Sequence, residues 1–110
     1  NNTIWRICME KFGPEVKNLI RRLLESIPLY FDRNLTLNSD GRRLLSQLLR
    51  YLLYEHQEYR YLAREIRKNP TIENVIKLAR IILSSDEINK ILDIQLKGLY
   101  EYSIDSADHN

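Results

Sequence analysis

Glycine and proline are scarce in this chain, and this scarcity constrains the fold more than any other feature. The chain has 110 residues and contains three glycines and three prolines, at positions 13, 14, 28, 41, 70 and 98. An all-β protein needs many more turn residues, so the sequence predicts a few long helices joined by short connections. With 44% hydrophobic and 29% charged residues, a chain of this length can bury a core as one domain.

Between these breaks, apolar residues recur with the helical period. The pattern predicts helices over about 3–12, 14–26, 42–68, 72–83 and 86–102, an irregular connection over 29–37, and a flexible polar tail over 103–110. Pro14 suits a first helical turn, Asn38 and Thr71 are typical N-cap residues, and Ser84 with Glu87 matches a capping box. The predicted fold is all-α, an irregular bundle of four to five helices forming a single domain over residues 1–102.

The segment 42–68 is predicted to form one long amphipathic helix with a basic face. At about 100° per residue, its cations fall within an arc of about 120°. These seven residues are Arg42, Arg43, Arg50, Arg60, Arg64, Arg67 and Lys68. Tyr54 and Tyr61 lie near one edge of this face, and Leu48, Leu52 and Leu62 lie on the buried side. Charge is uneven along the chain, because residues 1–70 carry 13 Lys+Arg against 8 Asp+Glu (+5) and residues 71–110 carry 4 against 7 (−3).

Two interpretations of the basic face stand side by side. Clustered Arg and Lys attract phosphates with little sequence specificity, and tyrosine rings can stack on unpaired bases. The face, with Tyr54 and Tyr61, therefore predicts contact with single-stranded nucleic acid or RNA. Alternatively, a helix with one buried side shows its polar side to water without binding anything. The rival function is a protein-only adaptor, with an acidic partner or with Trp5, exposed tyrosine or leucine as its anchor.

The spacing of Arg50 and His56, Arg-x5-His, resembles the motif of HEPN ribonucleases, which are helical bundles that often pair two copies of the motif in a dimer. This resemblance implies that Arg50 stabilises transition-state charge and that His56 transfers protons. A tyrosine that often follows the motif histidine by two residues is absent, because Glu58 occupies that position and Tyr59 the next. We predict instead that His56 lies at a solvent-facing helix edge, and that the protein is not an enzyme and has no catalytic residues.

Three further partial resemblances involve subunits that work beside nucleic acid. The run Asn38-x-Asp40-Gly41-x-Arg43, ahead of a leucine-rich helix, resembles the helical part of GINS-type replication subunits. The segment 62–82 is similar to the last helices of transcription-factor N-terminal bundles, and the last two helices resemble small subunits of CRISPR effector complexes. Each covers less than half of the chain, so no family is assigned. Together they imply a non-catalytic binding or scaffold subunit of a nucleic-acid-processing assembly.

Several other classes of site lack the residues they need. The single cysteine, Cys8, excludes an internal disulfide and a multi-cysteine zinc site. No glycine-rich loop could hold a nucleotide and no ligand spacing predicts a metal, so neither a cofactor nor a metal is expected. No apolar run approaches the ~20 residues that span a bilayer. We therefore expect no membrane partner and a cytoplasmic location, or a nuclear one in a eukaryote.

Overall fold

The computed structural model describes the backbone of residues 11–108 and the side chains of residues 11–98, and the predicted all-α fold is confirmed. This part of the chain forms six helices: α1 (Pro14–Glu25), α2 (Ile27–Tyr30), α3 (Ser39–Glu55), α4 (Arg60–Lys68), α5 (Ile72–Ile82) and α6 (Ser85–Asp108). A 3₁₀ turn, Gln57–Tyr59, precedes α4. Of the helix predicted over about 3–12, residues 3–10 lie outside the described residues, and Lys11 and Phe12 are not helical.

The central element of the bundle is α1, which packs against α2, α3, α5 and α6 and most extensively against α3. It begins at Pro14, where the missing backbone N–H would have no helical partner in any case. Its buried face consists of Val16, Ile20, Leu23 and Leu24. Burial of each such apolar side chain stabilises the fold by roughly 1.5–3 kcal/mol.

Three later helices begin at the predicted caps. The cap hydrogen bonds are Gly41 N to Asn38 Oδ1 at 2.9 Å, Asn74 N to Thr71 Oγ1 at 3.3 Å, and Glu87 N to Ser84 Oγ at 3.2 Å. Each satisfies a first-turn N–H that has no helical partner, and such a cap stabilises a helix by about 1 kcal/mol. The carboxylate of Glu87 does not complete a capping box, because it pairs with Arg21. Glu87 therefore links the first turn of α6 to α1.

The predicted continuous helix over 42–68 is wrong, because the chain leaves the helix at His56. There the backbone adopts φ −137° and ψ 81°, and α4 starts only after the 3₁₀ turn. The His56 Nε2–H donates to the Lys11 carbonyl at 2.8 Å, and the imidazole packs edge-on against Phe12 with ring centroids 5.0 Å apart. These contacts join the break to the segment before α1. Helical periodicity within 42–68 carries no information about them.

The connection between α2 and α3 is more ordered than the sequence predicts. Leu29 and Tyr30 belong to α2, and Phe31 forms an isolated antiparallel bridge with Leu37. The Asp32 Oδ1 atom accepts hydrogen bonds from two backbone N–H groups of the turn. Tyr30 and Phe31 are buried, whereas Leu29 is exposed.

Residue Leu35, within this connection, has a backbone conformation that is rare for a side chain of its kind. Its φ is 57°, in the left-handed region, and its side chain is 42% exposed. The carbonyl of Leu35 accepts from Ile72 N at 2.8 Å, and Leu37 N donates to the Pro70 carbonyl at 2.9 Å. These bonds tie the α2–α3 connection to the junction between α4 and α5. The strained residue is therefore held by hydrogen bonds outside its own turn.

A single amide in α6 joins this helix to the corner between α1 and α2. The Gln95 Nε2 group donates to the Glu25 carbonyl at 2.8 Å, and Gln95 Oε1 accepts from Ile27 N at 3.1 Å. It satisfies a carbonyl at the end of α1 and an N–H at the start of α2, groups that have no partner within their own helices. The helix continues through Asp108, whereas the sequence predicts its end at about Tyr102 with a flexible tail over 103–110.

Candidate nucleic-acid interface

All nine predicted binding residues are exposed, but they lie on two helices instead of one. Those on α3 are Arg42, Arg43, Arg50 and Tyr54, and those on α4 are Arg60, Tyr61, Arg64, Arg67 and Lys68. The arc of about 120° calculated for one continuous helix does not extend across the break at His56. The single basic face is therefore replaced by two shorter ones, which we call the α3 face and the α4 face.

The α3 face consists of Arg43, Gln47, Arg50 and Tyr54. These residues follow one another at intervals of four, three and four, so they lie within about 60° of arc on the helix. All four are exposed, and Tyr54 is 89% exposed. Arg42 lies to one side of them, and its Nε donates to the Leu37 carbonyl at 3.3 Å. This hydrogen bond within the protein could not be predicted from the position of Arg42 on the helix.

The α4 face consists of Arg60, Arg64, Arg67 and Lys68, while Ile66 on the opposite side of the helix is buried. Arg60, Arg64 and Lys68 follow one another at intervals of four residues. Like charges at this spacing destabilise a helix by about 0.2–0.5 kcal/mol per pair. Helix stability therefore does not account for the α4 face.

Few of these cations are paired within the protein. Among the described residues, Arg21 is the one Arg or Lys whose side chain lies within 4.0 Å of a carboxylate. The guanidinium of Arg60 lies over the Tyr61 ring, 5.0 Å from its centroid, and Tyr61 remains 66% exposed. The remaining five cations make no ion pair and no side-chain hydrogen bond with the described residues. These five are Arg43, Arg50, Arg64, Arg67 and Lys68. The described residues therefore leave the charges of these five without an acidic partner.

The geometry around His56 is that of a structural contact. Its Nε2–H is bonded to the Lys11 carbonyl, and its Nδ1 lies 3.4 Å from Glu58 Oε1. Both ring nitrogens therefore face groups of the protein itself. Arg50 makes no hydrogen bond with His56, so the two residues of the Arg-x5-His pattern are not joined directly. His56 is only partly exposed and lies at the end of α3, beside the segment that precedes α1.

Lys11 completes the cluster around the helix break. Its Nζ donates to the Tyr59 hydroxyl at 2.9 Å and lies 5.5 Å from the Phe12 ring centroid. The hydrogen bond to Tyr59 raises the pKa of Lys11 above its ordinary value, the nearby charge of Glu58 raises it further, and desolvation opposes both. The cluster could not be predicted from the sequence pattern, because its members come from two segments more than forty residues apart.

A cleft between the ends of α1 and α2 and the start of α3 was also missed. It has a volume of about 260 Å³ and is lined by Arg22, Leu29, Tyr30, Asp40, Arg43 and Leu44. Arg43 is a predicted binding residue, whereas Arg22 lies on α1 and was not considered. Their proximity depends on how α1 packs against α3, so periodicity within either helix could not reveal it.

No three His, Cys, Asp or Glu side chains of the described residues are grouped in a way that could hold a metal ion. None of the helices searched in that part of the chain combines the length and the apolar character needed to cross a membrane. Comparison of the chain with known protein families, curated proteins and solved structures gives no match.

Proposed function

We propose that this protein is a non-enzymatic binding or scaffold subunit of a nucleic-acid-processing assembly in the cytoplasm or nucleus, and that its α3 and α4 faces contact single-stranded nucleic acid. One observation carries the proposal: five cations of these faces are exposed and make no ion pair with the described residues. They are Arg43, Arg50, Arg64, Arg67 and Lys68. Each phosphate that such a cation neutralises releases counterions, which favours binding without base specificity.

The charge spacing of α4 supports a ligand of opposite charge. Arg64 has a cation four residues away on either side, Arg60 and Lys68, and both pairs repel in the free protein. A phosphate chain placed along this face would offset the repulsion, because each phosphate attracts the cations on both sides of it. A face whose only role was solvation would gain stability from acidic residues at these positions, and α4 has none there.

The tyrosine at the end of the α3 face favours single strands over duplexes. Tyr54 follows Arg50 by four residues, so the two side chains are neighbours on the helix surface. An exposed ring beside a guanidinium can stack on an unpaired base while the cation contacts the adjacent phosphate. In a duplex the base faces are already stacked on one another, so Tyr54 would have no base to contact.

The proposal is tested by fluorescence anisotropy with a labelled single-stranded oligonucleotide, titrated at several salt concentrations. For the parent we expect binding at low salt, with log affinity falling linearly with log salt at about −0.7 per neutralised phosphate. Arg43→Glu with Arg50→Glu should weaken binding and flatten this slope. The matched control is Lys90→Glu with Lys97→Glu, which makes the same change in net charge at exposed positions of α6. It should leave most of the binding intact.

Two results would contradict the proposal. Absence of binding to single-stranded RNA and DNA at low salt would reject direct phosphate contact. Equal losses in the α3 and α6 double variants would mean that only overall charge matters and that no site exists on α3.

The second candidate function is a protein-only adaptor, favoured by the high exposure of Tyr54 and Tyr61. Large aromatic side chains are common anchors of protein interfaces. The substitution Tyr54→Ala separates the two candidates. Under the nucleic-acid proposal it lowers affinity for single strands while affinity for duplex stays the same. Under the adaptor alternative it leaves oligonucleotide binding unchanged.

A further inference from the structure

We infer that the cleft between α1, α2 and α3 binds one phosphodiester group, held between Arg22 and Arg43. The inference rests on the proposed function and adds a defined phosphate contact to the two faces. Arg22 lies in the last turn of α1 and Arg43 in α3, and both side chains line the same cleft of about 260 Å³. Two arginines from different helices thus line one small space.

Tyr30 holds Arg22 in position at this cleft. The ring is buried, with 6% of the residue exposed, and its hydroxyl accepts a hydrogen bond from Arg22 Nε at 3.1 Å. This bond fixes one edge of the Arg22 guanidinium and leaves its terminal N–H groups without partners among the described residues. A guanidinium held in this way loses less entropy when a ligand binds. The Tyr30 hydroxyl proton also has no acceptor among the described residues and can be donated to a phosphate oxygen.

The charges around the cleft match one phosphodiester group. Arg22 and Arg43 contribute two positive charges and Asp40 one negative charge, so the lining residues carry a net charge of +1. A phosphodiester has a single negative charge and neutralises this value. A phosphomonoester carries about −1.5 to −2 near neutral pH, so it would leave the cleft with an excess of negative charge.

Arg43 connects the cleft with the rest of the α3 face. The distance along the helix axis from Arg43 to Tyr54 is about 16 Å, at 1.5 Å per residue. A strand whose backbone enters the cleft at Arg43 can therefore pass Arg50 and place a base on Tyr54. At 3.4 Å or more per nucleotide, this path accommodates up to about five nucleotides.

The first test measures affinity of the full chain for a single-stranded octanucleotide by fluorescence anisotropy. Arg22→Ala should weaken binding at least tenfold, although Arg22 lies outside both basic faces. The matched control is Arg80→Ala, which removes an exposed arginine of α5 and should change affinity less than twofold. Arg22→Lys keeps the charge but loses the forked guanidinium, so we expect most of the loss of affinity seen with Arg22→Ala to occur with Arg22→Lys as well. Thermal melting of each variant checks that the fold is intact.

The second test observes the cleft directly, by the NMR signal of the Arg22 Nε–H group. A dinucleoside monophosphate, which contains one phosphodiester and no terminal phosphate, should shift this signal. A nucleoside 5′-monophosphate at equal concentration should shift it less, and Tyr30→Phe should reduce the response to both. The two probes thus distinguish an internal phosphate of a strand from a terminal one.

The outcomes separate the cleft from the proposed function. If Arg22→Ala binds the octanucleotide as Arg80→Ala does, while Arg43→Glu with Arg50→Glu loses binding, the cleft inference is overturned and the proposed function stands. If the parent binds no oligonucleotide, the proposed function fails, and the NMR titration then decides the cleft alone. A larger shift with the monophosphate than with the dinucleoside, or no shift with either, overturns the cleft inference.

Discussion

The substitution Gly41→Ala should destabilise the protein, although alanine is the better helix former. Gly41 lies in the first turn of α3 and is buried. A Cβ atom at this position would lie 2.5 Å from the Tyr30 carbonyl oxygen and 2.7 Å from Leu37 Cδ2. The Tyr30 carbonyl cannot retreat freely, because it accepts a hydrogen bond from Asn38 N at 2.9 Å. The new methyl group therefore has to displace backbone as well as a side chain.

The size of the effect follows from three contributions. Overpacking of this kind costs about 1–3 kcal/mol, and weakening the bond from Asn38 to Tyr30 costs up to about 1 kcal/mol more. Replacing glycine by alanine within a helix returns about 1 kcal/mol. These contributions sum to a net loss of up to about 3 kcal/mol in the free energy of unfolding, with a fall in Tm of roughly 4 °C per kcal/mol for a chain of this length.

The assay is urea and thermal unfolding followed by circular dichroism at 222 nm, with Gly98→Ala as the matched control. A Cβ atom at Gly98, within α6, would meet no atom within 4 Å. The same exchange should therefore be neutral there or should stabilise by up to about 1 kcal/mol. If Gly41→Ala proved as stable as the parent, the close approach of α2 to α3 would be wrong.

Three further predictions concern the α4 face, the strained turn and the helix break. Arg64→Glu replaces two repulsive pairs on α4 by attractive ones, so it should raise the free energy of unfolding by about 0.8–2 kcal/mol while it lowers oligonucleotide affinity. A loss of both stability and affinity would contradict the assignment of Arg64 to the exposed α4 face. Leu35→Asn should raise the free energy of unfolding in urea melts by roughly 0.5–1 kcal/mol, because asparagine tolerates φ 57° better than leucine does. The control Leu29→Asn lies in helical backbone and should not raise the free energy of unfolding. His56→Ala removes the hydrogen bond to the Lys11 carbonyl, so it should lower the free energy of unfolding by about 1–2 kcal/mol. Neither the parent nor the variant should cleave RNA, and metal-independent cleavage that disappears in the variant would establish the ribonuclease alternative.

Local signals in the sequence predicted most of the helix ends. Asn38 and Thr71 cap helices because their side-chain oxygens reach N–H groups three residues away, so the determinants lie within one turn. Pro14 begins α1 for an equally local reason. The break at His56 was not predictable in this way. It depends on Lys11 and Phe12, which precede α1 in the sequence and meet α3 only after the chain has folded.

In the candidate site, too, the sequence predicts the features that depend on one helix and not those that depend on packing between helices. That the cations of α3 and α4 would be exposed followed from the opposite faces being apolar, and the structure confirms exposure at every one of them. That Arg22 would join Arg43 in a cleft depends on the packing of α1 against α3. The pairing of Glu87 with Arg21 depends likewise on α6 packing against α1, and it removes the carboxylate that a capping box would have used.

The bridge made by Gln95 gives the Ile27 amide a diagnostic value in solvent-exchange experiments. This N–H is bonded to a side chain of α6 and not to a carbonyl of its own helix. Its exchange with deuterium therefore requires only that α6 separate from the α1–α2 corner, whereas amides in the middle of α1 exchange through opening of the bundle core. A binding event that loosens α6 would accelerate exchange at Ile27 while the amides of Ile20 and Leu23 stayed protected. One backbone resonance thus reports the docking of the last helix separately from the stability of the domain.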